Sequence, residues 1–314
     1  MNSEVHPFKP GECLTECTGF SGHVGSAQVS DLGSLENFGI ETADSISRRS
    51  SDQNPAAIPV VSRPLIAWFT RYSRRYICRH FHSLRVSRAG LPSKAHGLPL
   101  VIFSNHASWW DALVCLVLKH EFFGERRLFA PMDAAMLERY RFFRRLGFFG
   151  VEQHTRRGAI QFLQTAGAIL QSRQALLAIT PQSRFADVRE RPVKFSSGLA
   201  HLAKQVERAC FIPVAIEYAF WEERFPEILV RFGEPIQVGR MNRFAYDARN
   251  WKPLFERALT ETQDALAKDS QNRRTDAFEI VQRGGAGQGG IYDLWRWLKA
   301  RLRGEAFLKE HGTK

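Results

Sequence analysis

The sequence predicts an α/β fold, a mixed sheet flanked by helices, and three observations point to it. Short apolar, β-branched runs alternate with stretches of helical periodicity from residue 98 to residue 268, the pattern that sets strands in a sheet and helices on its faces. Apolar residues make up 44% of 314, enough to bury a full core. No repeat period divides the chain, and its length fits one main domain with appendages.

Residues 1–57 are rich in Ser, Gly, Glu and Asp and read as a disordered tail. Cys13 and Cys17, with His6 and His23 nearby, match no strong zinc-ligand spacing and read as tail thiols. From Pro64 to Leu84, the residues Leu65, Phe69, Tyr72 and Tyr76 recur at helical spacing among Arg71, Arg74, Arg75 and Arg79. This is a basic amphipathic helix that either packs its aromatic stripe on the core or lies at a membrane interface. Leu98 to Ser104 (LPLVIFS) is a strand that feeds a helical segment from Trp109 to Leu118. Helices over 156–171, 197–208 and 251–268 then alternate with strands at Ala175 to Ile179, Phe211 to Tyr218 and Glu227 to Phe232, the last expected to be the final strand. The main domain is therefore expected over 58–268.

Residues 269–290 read as a linker ending in RGGAGQGG. Gly285, Gly287 and Gly290 fit a dinucleotide fingerprint in form only, since the 24 residues that follow are too few to complete such a unit. In 291–314, Ile291, Leu294, Trp295, Leu298 and Leu302 share one helical face ringed by Arg296, Lys299, Arg301 and Arg303. That helix either lies on a membrane or docks on its own domain.

The net charge is +12, yet residues 1–57 carry eight acidic and three basic side chains, so the remainder carries +17. Such a surplus favours an anionic partner: nucleic acid, anionic headgroups or phosphorylated substrates. Five scattered cysteines suit a reducing compartment better than a disulfide framework. No apolar run reaches the ~18 residues of a membrane span, and the N-terminus lacks a secretory or transit pattern. The expectation is a peripheral protein on the cytoplasmic face of a membrane.

The chemistry is expected in Asn105-His106-Ala107-Ser108-Trp109-Trp110-Asp111, between the apolar strand and the apolar helix. Side chains at the C-terminal end of such a strand face a ligand crevice. Across a tight turn Asp111 can accept a hydrogen bond from one ring nitrogen of His106, fix its tautomer and stabilise the imidazolium formed when the other nitrogen takes a proton. The alternative is a structural histidine that caps a helix.

At these residues the chain resembles the glycerophosphate and lysophosphatidate acyltransferases, whose His-x-x-x-x-Asp block often reads Asn-His-x-Ser-x-x-Asp. Three further segments fall in the family's order: Phe148 to Ala159 (FFGVEQHTRRGA), Pro181 to Phe185 (PQSRF) and Phe211 to Ile216 (FIPVAI) with Pro213. The resemblance covers residues 90–240 and implies an acyltransferase-type fold. It also implies His106 and Asp111 as the catalytic pair, acyl-CoA or acyl-carrier protein as donor and a lysolipid such as 1-acylglycerol 3-phosphate as acceptor.

Two positions depart from the pattern. Pro181 or Gln182 stands where the third block has glutamate, and Gln153 follows Glu152 where the second block has arginine. Both blocks hold the acceptor in the family, so the acceptor here is open to be another lipid or a glycoside.

Arg184 is the leading candidate for substrate contact. Asn105, Ser108, Arg156, Arg157 and Lys194 stand beside it, with Arg189 and Arg191 in the same segments, because guanidinium forks suit phosphate oxygens. Direct attack by the acceptor is implied, with no acyl-enzyme. No Gly-x-Ser-x-Gly elbow occurs, Cys115 lies in an apolar run as a buried thiol, and Ser108 fits a helix cap better than a nucleophile. Trp109, Trp110, Phe142, Phe143, Phe148 and Phe149 either line an acyl groove or belong to the core. No metal or cofactor is expected. Two other classes stand against this reading: a basic nucleic-acid binder, supported by charge alone, and a catalytically silent membrane scaffold.

Overall fold

In the computed structural model the described residues are 58–91, 97–239, 248–286, 298–299 and 301–302. All fall in the compact unit Asn54–Lys314. The expected tail 1–57 with its thiols, and most of the expected C-terminal helix, lie outside them.

The chain enters through helix α1 (Arg63–His80), then β1 (Ser83–Ser87), β2 (Leu100–Ser104), α2 (Asp111–Phe122), β3 (Arg127–Asp133), α3 (Ala134–Arg139), a 3-10 turn (Arg141–Leu146) and β4 (Phe148–Val151). It continues with α4 (Arg156–Ile169), β5 (Ala175–Ile179), α5 (Gly198–Gln205), β6 (Ala209–Ala219), β7 (Glu227–Phe232), β8 (Ile236–Val238), α6 (Ala248–Gln271) and β9 (Phe278–Arg283). The strands form one sheet in the order β4-β3-β5-β2-β6-β7-β1-β9, with β8 on the first residues of β6. From β4 to β6 all neighbours are parallel, β7 runs antiparallel to β6, β1 is parallel to β7, and β9 closes the edge antiparallel to β1. The sheet is mixed, as the sequence predicts.

Strand alternation sends side chains to two cores. Val101, Phe103, Ala209 and Phe211 join Phe162, Leu199, Trp251 and Phe255, from α4, α5 and α6, on one face. Leu100, Ile102, Ile212 and Val214 join Ile77 from α1 and Leu113, Val114 and Val117 from α2 on the other. Each fully buried Val, Leu, Ile or Phe among them contributes about 1.5–3 kcal/mol as an upper bound. Because both faces are covered, the first four residues of β2, all of β5 and the first eight residues of β6 are apolar.

Three expectations need correction. The N-terminal helix ends at His80, and Ser83 and Leu84, expected in its last turn, open the strand Ser83–Ser87. β7 is not the last strand, since β8 and β9 follow it. The expected linker 269–290 instead holds the end of α6 and β9, whose Phe278 is buried between Leu229 and Leu266. Gly284 seals that edge: its N–H donates to the His82 carbonyl at 2.7 Å, and a Cβ there would lie 2.1 Å from the Phe81 oxygen. Packed backbone, not a flexible spacer, requires this glycine.

Candidate active site

β2 ends at Ser104 in register with Val214 of β6. One step later the Asn105 side chain continues the ladder in place of a peptide group. Its Nδ2 donates to the Ile216 carbonyl and its Oδ1 accepts from the Ile216 N–H, both at 2.9 Å. Asn105 is 1% exposed and faces the sheet, so the structure corrects its expected role in substrate contact. Removing the amide would strand both Ile216 groups, at about 1–3 kcal/mol each. Asn105 is the pin that fixes where His106 begins.

The main chain of His106 is gripped from the other side by residues 182–186. Its N–H donates to Gln182 Oε1 at 3.1 Å, and its carbonyl accepts from the Ala186 N–H at 2.8 Å. Phe185 lies over the imidazole, with ring centroids 4.3 Å apart.

Asp111 opens α2 and is 4% exposed. Its Oδ2 lies 2.8 Å from His106 Nδ1 and accepts the Ser108 N–H at 3.1 Å, while its Oδ1 accepts the Tyr218 hydroxyl at 2.6 Å. A carboxylate only accepts, so the ring proton sits on Nδ1 and Nε2 is left as the basic atom. Ser108 serves through its main-chain N–H, its Oγ accepts from the Trp110 N–H at 3.4 Å, and it is not among the described residues that line the cavity beside His106. Burial first, then the Asp111 charge, pushes the Tyr218 hydroxyl far above its ordinary range, so it remains a donor at any physiological pH.

A cavity of about 410 Å3 runs from His106 and Asp111 beneath α2, walled by Ile102, Cys115, Leu118, Leu128, Ala130 and Phe148. These walls fit a hydrocarbon chain. Burial lifts the Cys115 thiol to about 12, which leaves it protonated and unreactive.

The expected cationic cluster does not form around His106. Arg184 does stand on the cavity wall, but its guanidinium is paired with Glu190 and also donates to the Phe185 carbonyl. Arg156 and Arg157 are exposed on the first turn of α4, Lys194 is exposed, and none of the three lines the cavity. Arg189 and Arg191 border a separate groove of about 630 Å3 between β6 and α6, where Asp187 and Asp264 pair with them. Long basic side chains at successive loop positions diverge into solvent, which sequence order does not reveal. Of the six aromatic candidates, Phe148 lines the cavity, Phe149 belongs to the opposite core, and Trp109 and Phe142 are exposed.

Tyr218, Gln182 and Phe185 are site residues that spacing alone did not single out. Tyr218 had a legible signal, since period 2 along β6 puts 214, 216 and 218 on the face that carries α2.

Residues 82–217 match a family model described as Acyltransferase. The fold is also similar to a solved structure titled the 1-acyl-sn-glycerophosphate (LPA) acyltransferase, PlsC, from Thermotoga maritima. The match has a TM-score of 0.46 and 12% identity, over 65% of this chain and 80% of that one. No curated protein matches at a significant level. The matched segment runs from the residue before β1 through most of β6 and contains His106 and Asp111. Through residues 82–217 the chain is similar to the acyltransferase family, and it is an acyltransferase enzyme.

Proposed function

We propose that the protein moves a fatty acyl group from an acyl thioester, on CoA or an acyl-carrier protein, to a hydroxyl of a lysolipid at the surface of an anionic membrane. The observation that carries this reading is the hydrogen-bonded series His106–Asp111–Tyr218 at the mouth of an apolar cavity. His106 Nε2 takes the proton of the acceptor hydroxyl as its oxygen adds to the thioester carbonyl. Asp111 stabilises the imidazolium, and the tetrahedral intermediate collapses by expelling thiolate, which recovers the proton from His106. The apolar cavity receives the acyl chain.

An exposed aromatic band supports the membrane part of the proposal. On α1, Trp68 and Tyr72 stack 5.9 Å apart and Tyr72 and Tyr76 5.6 Å apart, and Tyr76 reaches Trp109 at 6.2 Å, three residues from His106. Trp68 is 62% exposed, and Arg71, Arg75 and Arg79 are exposed on the same helix. Amphipathic rings with basic neighbours suit the headgroup region of an anionic bilayer. No described helix is long and apolar enough to cross a membrane.

1-Acylglycerol 3-phosphate is the acceptor implied by the sequence resemblance. A second reading, an acceptor without phosphate, is favoured by the scatter of the expected basic residues away from His106. The deciding experiment is acyl transfer from labelled acyl-CoA to a panel of lysolipids. His106→Ala is expected to lower the rate ~10²- to 10⁴-fold. Equal rates for wild type and variant would remove His106 as the base.

A further inference from the structure

We propose that the acceptor headgroup is a neutral polyol, a glycerol or sugar without phosphate, read in a polar annex of the His106 cavity. This rests on the acyl-transfer reading above and names the acceptor class. The annex, about 310 Å3, shares Met132, Asp133, Gln153, Thr180 and Ser183 with the His106 cavity. A lysolipid spanning the shared wall can offer one hydroxyl to His106 while the rest of its headgroup lies in the annex.

The chemistry of the annex is uncharged or acidic. Thr180 and Ser197 contribute hydroxyls and Gln153 a carboxamide, groups that both donate and accept, while Ser183 donates to Ser196 at 3.2 Å and Ser196 to the Pro181 carbonyl at 3.1 Å, which leaves their oxygens as acceptors. Among the described residues none that lines it is Lys or Arg, and His154 is the one that can carry positive charge. Two of the described lining residues are carboxylates. Asp133 is engaged as the cap of α3, its Oδ1 accepting the Met136 N–H at 3.0 Å. Glu152 is half-buried, and among the described residues no side chain pairs with its carboxylate.

A phosphate dianion placed here would face both carboxylates in a partly water-excluded space, where like charges repel more strongly than in bulk water. Arg184, on the wall of the adjoining cavity, has its charge already met by Glu190. Two helix N-termini beside the annex are capped from within the chain, α3 by Asp133 and α4 by Thr155, so their dipoles are also answered. The first turn of α5 leaves main-chain N–H donors in the wall, and these serve hydroxyl oxygens equally well. A polyol meets all of this at once: its hydroxyls donate to Glu152 and to the Ser183 and Ser196 oxygens and accept from Thr180, Ser197 and Gln153.

The test uses the purified full chain and one acyl-CoA with three acceptors at matched micellar concentration: 1-acylglycerol, 1-acyl-3-glycosylglycerol and 1-acylglycerol 3-phosphate. The neutral acceptors are expected to show kcat/KM at least ~10-fold above the phosphate, the factor that about 1.4 kcal/mol supplies. Gln153→Arg, at an exposed position on the shared wall, is expected to lower KM for 1-acylglycerol 3-phosphate and shrink that ratio, and Glu152→Gln to shrink it less. Equal or better use of the phosphate acceptor, with both variants leaving the ratio unchanged, would overturn the annex assignment while leaving acyl transfer intact. Equilibrium binding of the same lipids to His106→Ala separates the two readings. Tighter binding of the neutral lipids that weakens in His106→Ala with Glu152→Gln, alongside a wild type that acylates nothing, would sink the acyl-transfer reading and uphold the annex.

Discussion

At the scale of single residues, the site turns on who holds Asp111. Its two oxygens accept from His106, Ser108 and Tyr218, so the carboxylate is fixed before any substrate arrives. Tyr218 touches neither reacting partner and acts as a positioning residue through Asp111. Tyr218→Phe keeps the ring and removes one hydrogen bond to a charged group, worth about 1.5–3 kcal/mol. The expected outcome is a fall in kcat of ~10-fold or more with KM for both substrates little changed, because geometry at the base is disturbed and the cavity is not. A variant whose kcat matches wild type while its KM rises would show that Tyr218 shapes the cavity instead.

At the scale of elements, the segment after β5 changes its meaning. Residues 182–186 do not present a cluster of free cations; they strap the main chain of His106 through Gln182 and Ala186 and lay Phe185 over its ring. A second device joins β1 to β7. The buried Glu227 carboxylate meets His82 Nδ1 at 2.6 Å and Arg85 Nε at 3.2 Å, and also accepts the Ser83 hydroxyl.

Burial alone would push Glu227 up, but hydrogen bonds from His82, Ser83 and Arg85 prevail and hold it below its ordinary range. His82 is raised above 6.5, chiefly by its hydrogen bond to Glu227 against the opposing effect of burial. A raised histidine contributes stability that is complete below 6.5 and is lost as pH climbs through its folded value. Glu227, being lowered, contributes above its ordinary 4.5 and loses that contribution as pH falls. Thermal melting of wild type should therefore decline from about pH 6.5 upward relative to His82→Gln, which lacks the titrating ring. Parallel melting curves for the two proteins across that interval would remove the link.

At the scale of the whole molecule, the aromatic band and the mouth of the acyl cavity meet at Trp109, Trp110 and His106. A lipid substrate could then pass from a bilayer to the base without crossing open water. Replacing Trp68 and Tyr72 together by Ala removes two exposed rings, each worth about 1.5–3 kcal/mol when fully buried. Co-sedimentation with phosphatidylglycerol vesicles is expected to weaken by at least ~10-fold, while transfer to a water-soluble short-chain acceptor holds near wild type. Unchanged vesicle binding would direct attention to some other surface of the chain.

Period and composition were sufficient for the α/β class, for the strand and helix that flank the histidine, and for the pairing of His106 with Asp111, because alternation and a five-residue turn are local properties. The same signals left the first two residues of β1 inside a helix, the rest of it unassigned, and β9 inside a linker. Both are short, β1 carries the buried polar residues Ser83, Arg85 and Ser87, and β9 is an edge strand. Only pairing across more than a hundred residues, with Glu227 to neutralise Arg85, makes them strands. Tertiary packing likewise decided which polar residues face substrate. Asn105 turns to Ile216, Arg184 to Glu190 and Tyr218 to Asp111, and none of those partners lies within five residues in sequence. A side chain's direction depends on what the fold brings opposite it, and a linear pattern carries that information only when the partner is a near neighbour.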